Sequence, residues 1–205
     1  MNEQLQMIWP EGREVPWAAR QVPSGYLLRG FRDGDQEAYI ELMRIAGFDS
    51  WSRDNLDLVV KNAVPNGIIF AEHAASTLLA ATAMGWRKPT EIFPDGYEMG
   101  WVAAAPAHRG KGLGQLVVSA VTRTLLGHGA RRIFLLTDDW RLPAIKGYLK
   151  AGYVPLYHKA DMKMRWHDVF CRLSLSMQDF PGIEPAGRAQ GIGQLSICPS
   201  ESLEI

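Results

Sequence analysis

Cysteine is nearly absent: Cys171 and Cys198 are the only two in 205 residues. They share no metal-ligand spacing, which argues against a zinc framework. Two reduced thiols in a cytoplasmic protein are expected, and a disulfide between them would only staple the C-terminal region. Charge of one sign is also missing, since Lys plus Arg and Asp plus Glu each number 22. Proteins that work on nucleic acid usually carry a basic excess, so no nucleic-acid partner is expected, although a local basic groove stays open. No apolar run approaches the ~20 residues that span a bilayer. Residues Met1 to Met7 are acidic and polar, with no basic stretch ahead of an apolar one, so neither a signal peptide nor a membrane partner is expected. The histidines (His73, His108, His128, His158, His167) stand singly. Without a His-Glu-x-x-His pair, no metal is expected.

What is present suits one globular domain. Hydrophobic residues make up 47% of the chain, enough for a substantial core. Residues 1–25, punctuated by Pro10, Pro16 and Pro23, read as an irregular extension. Trp9 and Trp17 predict that it packs on the body of the domain. The domain itself is expected over 26–173. Tyr26–Phe31 reads as a strand. Helices follow over Glu37–Ala46, ended by Gly47, and over Trp51–Val64, with Ser52 as N-cap and Pro65-Asn66-Gly67 as a break. Ile68–Ala71 and Leu78–Trp86 form a hairpin across Ala74-Ala75-Ser76. A polar loop, Arg87 to Tyr97, leads to an apolar strand over Glu98–Ala104. Further along come a helix over Leu113–Leu126 and a continuously apolar strand over Arg131–Thr137. A short helix over Leu142–Ala151 carries Pro143 in its first turn. A strand over Tyr153–Tyr157 and a last helix over Met162–Leu173 complete the body. From Ser174 the pattern fades into a loose, glycine- and proline-rich tail, 174–205. The order predicts an α/β fold with an antiparallel front half.

One stretch organises the rest: Glu98 to Gly114, ending Arg109-Gly110-Lys111-Gly112-Leu113-Gly114. A strand passes a proline, turns through three glycines and enters a helix. Such a turn exposes adjacent backbone N–H groups, and the helix aims its positive dipole end at the same spot, which makes a phosphate or pyrophosphate site. It is not a nucleotide P-loop, because no Gly-x4-Gly-Lys-Ser/Thr occurs.

Residues 109–114 match the Arg/Gln-x-x-Gly-x-Gly/Ala signature of the GNAT (GCN5-related) N-acetyltransferases, with Gly112 and Gly114 at the two small positions. Some thirty residues on, Ala144, Tyr148, Gly152 and Tyr153 match that family's Asn-x-x-Ala-x-x-x-Tyr-x-x-x-Gly-Phe pattern. The chain therefore resembles this family by element order from Tyr26 to Tyr157. The stretch around Thr137-Asp138 and Pro143-Ala144 also resembles the mycothiol-synthase branch, which points to a cysteinyl or amino-sugar-type acceptor. The resemblance implies a mixed sheet flanked by helices, its fourth and fifth strands (Glu98–Ala104 and Arg132–Thr137) splayed, and acetyl-CoA as co-substrate. It implies that the backbone of Val102, Ala103 and Ala104 holds the pantetheine arm. The N–H groups of Arg109, Gly110, Lys111, Gly112, Leu113 and Gly114 would hold the pyrophosphate. The chain departs from the pattern at Arg141, where the family has Asn; this Arg could reach a cofactor phosphate or an acidic acceptor. Gly147 also departs, in a helix where leucine is common.

Acetyl transfer to an amine needs a base, donors for an oxyanion and an acid for the departing thiolate. Tyr148 matches the family's acid; otherwise it is a core aromatic with its hydroxyl on a backbone group. Glu98 is the candidate base, directly or through water, or else a solvated carboxylate at a strand edge. Asp138 and Asp139 could orient an amine or cap a helix. His108 reads as a surface residue beside the adenosine phosphates. Trp51, Trp86, Trp101 and Trp140 line an acceptor cleft or pack in the core. The expected activity is N-acetyl transfer to a small-molecule or peptide amine by a monomer or homodimer. The alternative is a non-catalytic CoA-binding sensor on the same fold.

Overall fold

The structure is a computed structural model and describes residues 3–16 and 21–185. Its centre is a seven-stranded sheet. The strands are β1 (Leu5–Ile8), β2 (Tyr26–Gly30), β3 (Ala63–His73), β4 (Leu79–Arg87), β5 (Tyr97–Ala104), β6 (Ile133–Thr137) and β7 (Val154–Leu156). They lie in the order β2-β3-β4-β5-β6-β1-β7. Every pairing is antiparallel except β5 with β6. The helices are α1 (Gln36–Ile45), α2 (Arg53–Asn62), α3 (Leu113–Gly127), α4 (Leu142–Ala151) and α5 (Met162–Leu173). This is the mixed α/β arrangement that the element order predicts.

Both faces of the sheet are covered, and a smaller third cluster joins Ile8, Phe93, Phe134, Val154 and Leu156. On one face α1 buries Tyr39, Leu42 and Met43, an i, i+3, i+4 stripe. With Trp51, Leu56 and Val59 it covers Phe70, Met84 and Ala103. On the other face α3 buries Leu116, Val117, Val121 and Leu125 against Ala81, Ala83 and Met99, while Ile145 and Leu149 of α4 and Trp166 and Phe170 of α5 extend the same core. Ser52 opens α2 as expected, its backbone N–H donating to Asn55 Oδ1 at 2.8 Å.

Two expectations are corrected. The first concerns the extension over residues 1–25. Leu5–Ile8 is not irregular; it is a strand inside the sheet, paired with β6 on one side and β7 on the other. Leu5 and Met7 are fully buried. Trp9 stacks edge-on against Tyr153 at 5.3 Å, and Arg13 donates to the Gly152 carbonyl at 2.5 Å. Gly152 sits at φ +116° with the Trp9 ring 2.9 Å from where a Cβ would be, so only glycine serves there. The second correction concerns Pro65-Asn66-Gly67, which lies inside β3. Ala63 pairs with Trp86 and Ile68 with Met84, so the residues between bulge outward. A Cβ on Gly67 would stand 2.6 Å from the Gly85 carbonyl oxygen.

Cys171 is not a free thiol, contrary to the expectation of two reduced cysteines; Cys198 lies outside the described residues. So does most of the C-terminal tail, from 186 on. Ahead of it, Ile183 bridges to Leu156. Among the described residues no helix is long and apolar enough to cross a membrane.

Candidate functional site

The site begins where β5 and β6 part. They pair only at Tyr97↔Ile133 and Glu98↔Phe134, although β5 continues to Ala104 and β6 to Thr137. A bulge in β5 accompanies the parting. Gly100 pairs with Met84 and Ala103 with Thr82, so one extra residue is accommodated on β5. Trp101 takes φ +48°, a left-handed conformation that is costly for a bulky side chain and marks stored strain. Beyond the bulge, Ala103 and Ala104 pair only with β4. The other edge of this strand segment is open for an added extended chain.

A cavity of about 660 Å³ fills the gap. Val102, Ala103 and Ala104 form one wall; Pro143, Ala144, Gly147 and Tyr148 of α4 form another. Its far end is the glycine turn with Arg109, Gly110, Gly112, Leu113 and Gly114. Pro106–His108 makes one 3₁₀ turn. Gly110 and Gly112 then take φ +77° and +76°, a region that favours glycine. α3 starts without a side-chain cap, which leaves its first N–H groups unsatisfied. A Cβ on Gly110, Gly112 or Gly114 would meet nothing within 4 Å. No neighbouring protein atom crowds the turn at these three positions.

The charge of this lining is one-sided. Arg109, Lys146 and Lys150 contribute, Arg141 adds a fourth charge at the end against Phe48 and Trp140, and no Asp or Glu lines the cavity. The balance of the whole chain hides this, and it suits a polyanion. Lys146 and Lys150 were not anticipated from the sequence; their four-residue spacing on α4 was the available signal. Phe48 and Ala46, also in the lining, come from the α1–α2 connection and have no sequence signal.

Tyr148 is buried and faces the cavity. Its hydroxyl makes no hydrogen bond among the described residues, so the alternative of a hydroxyl tied to backbone is not met. Burial pushes its pKa up to about 12, opposed by Arg141 and assisted by Asp138. The phenol is thus a protonated donor throughout the neutral range.

Glu98 is not brought to Tyr148. It is buried outside the cavity lining, accepts from Trp86 Nε1 at 2.8 Å and is paired with Lys88. Its Oε1 leans along β5 to within 3.4 Å of a Cβ position on Gly100. Lys111 also turns away; its Nζ lies 5.5 Å from the Tyr26 ring. His108 is more enclosed than a surface residue. Its Nδ1 lies 2.7 Å from the Tyr26 hydroxyl, and burial, with His73 and Lys111 nearby, lowers its pKa.

Asp138 and Asp139 neither cap α4 nor line the cavity. Asp139 is bound by Arg165 through Nε at 3.0 Å and through its terminal nitrogen, which holds its carboxyl below the usual range. Asp138 accepts from Arg141 Nε at 3.0 Å and from Gln4 at 3.1 Å. Of the four tryptophans, Trp140 is the one in the cavity lining, and it is exposed. Trp51 and Trp101 pack together at 6.0 Å.

The sequence profile of the Acetyltransferase (GNAT) family matches residues 27–153. Among solved structures, the chain is similar to a GCN5-related N-acetyltransferase from Sphaerobacter thermophilus, at 20% identity and TM-score 0.58, covering 74% of this chain and 49% of that one. It is similar to a putative GNAT-family acetyltransferase from Novosphingobium aromaticivorans, at 20% and 0.54, covering 74% and 58%. A GCN5-related N-acetyltransferase from Kribbella flavida gives 20% and 0.52, covering 76% and 55%. The chain thus spans about half the length of these structures, and at such identities the likeness is one of fold. No curated protein matches the sequence.

Proposed function

We propose, from the premise that the chain belongs to the Acetyltransferase (GNAT) family, that it moves acetyl from acetyl-CoA directly to a primary amine of a small molecule. The observation that carries this reading is the parted β5–β6 pair running into a glycine turn that no protein atom fills. An extended pantetheine arm fits the open edge at Val102–Ala104. A pyrophosphate fits the backbone N–H groups of Arg109 to Gly114 at the start of α3. Arg109, Lys146 and Lys150 supply positive charge along the wall.

Acetyl-CoA supplies an activated thioester carbonyl. A backbone N–H of Val102, Ala103 or Ala104 on the open edge polarises it and stabilises a developing oxyanion. Tyr148 donates from its hydroxyl towards the leaving sulfur and is available to do so because it has no hydrogen-bond partner among the described residues. Glu98 takes the amine proton through intervening water, because it does not reach the cavity itself. The described cysteine, Cys171, lies on α5 away from the lining, so transfer goes to the amine without a thiol-bound acetyl on the protein.

The test is free-thiol release from acetyl-CoA across small amines and peptides with free N-termini. Turnover of a small amine, with no acetyl retained on the protein, supports the reading. Acetyl accumulating on the protein, or turnover of peptides alone, contradicts it.

A further inference from the structure

We infer that the acceptor amine also carries a carboxylate, and that Arg141 is the residue that binds it. The inference rests on the acetyl-transfer reading above. Arg141 stands between β6 and α4, where the family motif has Asn, and it lines the cavity.

Its guanidinium is held by three neighbours. Nε donates to Asp138 Oδ2 at 3.0 Å. The guanidinium carbon lies 5.0 Å from the Phe48 ring centroid and 4.7 Å from that of Trp140. Asp138 is itself fixed from β6's other side, by Gln4 at 3.1 Å. The two terminal nitrogens make no hydrogen bond among the described residues. A fork whose Nε is tied and whose guanidinium carbon lies within 5.0 Å of two aromatic ring centroids is partly ordered before any ligand arrives. Its free edge matches the two oxygens of a carboxylate.

The placement separates this arginine from the cofactor charges. Arg109 lies in the glycine turn, and Lys150 stands in the last turn of α4, away from the Arg141 end of that helix. Arg141 instead rests on Phe48, which packs with Trp101 at 5.9 Å in the core under α1 and α2. That is the opposite face of the sheet from α3. Asp138 offsets part of its charge but occupies only the Nε edge. The cavity lining offers no Asp or Glu to a second cation, so an acceptor bearing only amines meets repulsion there. An amino acid or a short peptide meets a preformed anion fork.

The experiment is calorimetric titration, with and without saturating CoA, using free α-amino acids and dipeptides, each beside its C-terminal amide. At least one carboxylate is expected to bind roughly ten- to a hundredfold more tightly than its amide, as a charge-assisted bidentate pair allows. Arg141→Gln should erase that difference, Arg141→Lys should restore part of it, and both should leave CoA affinity within about twofold of the original. The amino-acid and dipeptide arms show which source of carboxylate is preferred. The inference is overturned if no member of the panel prefers carboxylate over amide, or if the preference survives Arg141→Gln. It is equally overturned if Arg141→Gln weakens CoA tenfold. Carboxylate binding through Arg141 in a protein that binds no CoA would defeat the acetyl-transfer reading alone.

Discussion

Tyr148 and Gly114 are the two residues where the proposed site makes the sharpest demands on a single side chain. Tyr148→Phe removes one hydroxyl that makes no hydrogen bond among the described residues, so its effect is expected in the chemistry. Steady-state kinetics should show kcat lowered about 10²- to 10⁴-fold, the usual range for a general acid, with acetyl-CoA affinity unchanged. Gly114 is more diagnostic still. It lies in α3 with negative φ and open space around its Cβ position. Gly114→Ala should therefore raise stability by about 0.5–1 kcal/mol, measured by denaturant unfolding. The same variant should weaken CoA binding at least tenfold, because the added methyl stands where the ligand passes. Glycine-rich spacing and the Ala144–Tyr148 pair made this part of the site legible in the sequence, since both are local patterns. Glu98 was legible as a residue but not as a geometry. Its engagement by Trp86 and Lys88 depends on the register of β4 against β5 and on a loop, neither of which spacing encodes.

At the scale of elements, the informative case is β1. Four residues are too few for periodicity to rise above chance, and its partners lie more than a hundred residues away. The apolar Leu5, Met7 and Trp9 alternation was there, yet only the sheet gives it meaning. β1 closes the gap between β6 and β7 and fixes Asp138 through Gln4, so it supports one wall of the cavity. Met7→Ala should cost about 2–5 kcal/mol, as for other fully buried large side chains. Gly152→Ala should also be strongly destabilising, because a Cβ there meets the Trp9 ring and φ is positive. Differential scanning calorimetry of the two variants checks both. The long helices and β6 needed no such rescue. The apolar pattern is strong in each, and α3 and α4 also carry glycine or proline at their ends, so local physics and the fold agree. The bulges in β3 and β5 were not legible, because they arise from pairing rather than from the strand's own sequence.

At the scale of the whole molecule, burial and charge distribution carry the consequences. Tyr39, Tyr148 and Tyr153 are all buried, and burial raises each phenol's pKa, Tyr148 to about 12 and the other two further. Each phenol holds its proton more tightly folded than unfolded. Their stabilising contribution is complete below the unfolded value near pH ~10 and is lost as pH rises through the folded values. Stability should thus fall by roughly 4 kcal/mol per pH unit above pH ~10 from the three together, at about 1.4 each. Urea unfolding at stepped alkaline pH measures it. The chain's balanced charge resolves into a cationic cavity, so cofactor affinity should weaken as salt rises. Isothermal titration of acetyl-CoA into the folded protein measures whether the cavity holds the cofactor. Saturable binding of one acetyl-CoA per chain is expected, weakening with ionic strength. A folded protein that takes up no acetyl-CoA would contradict the account.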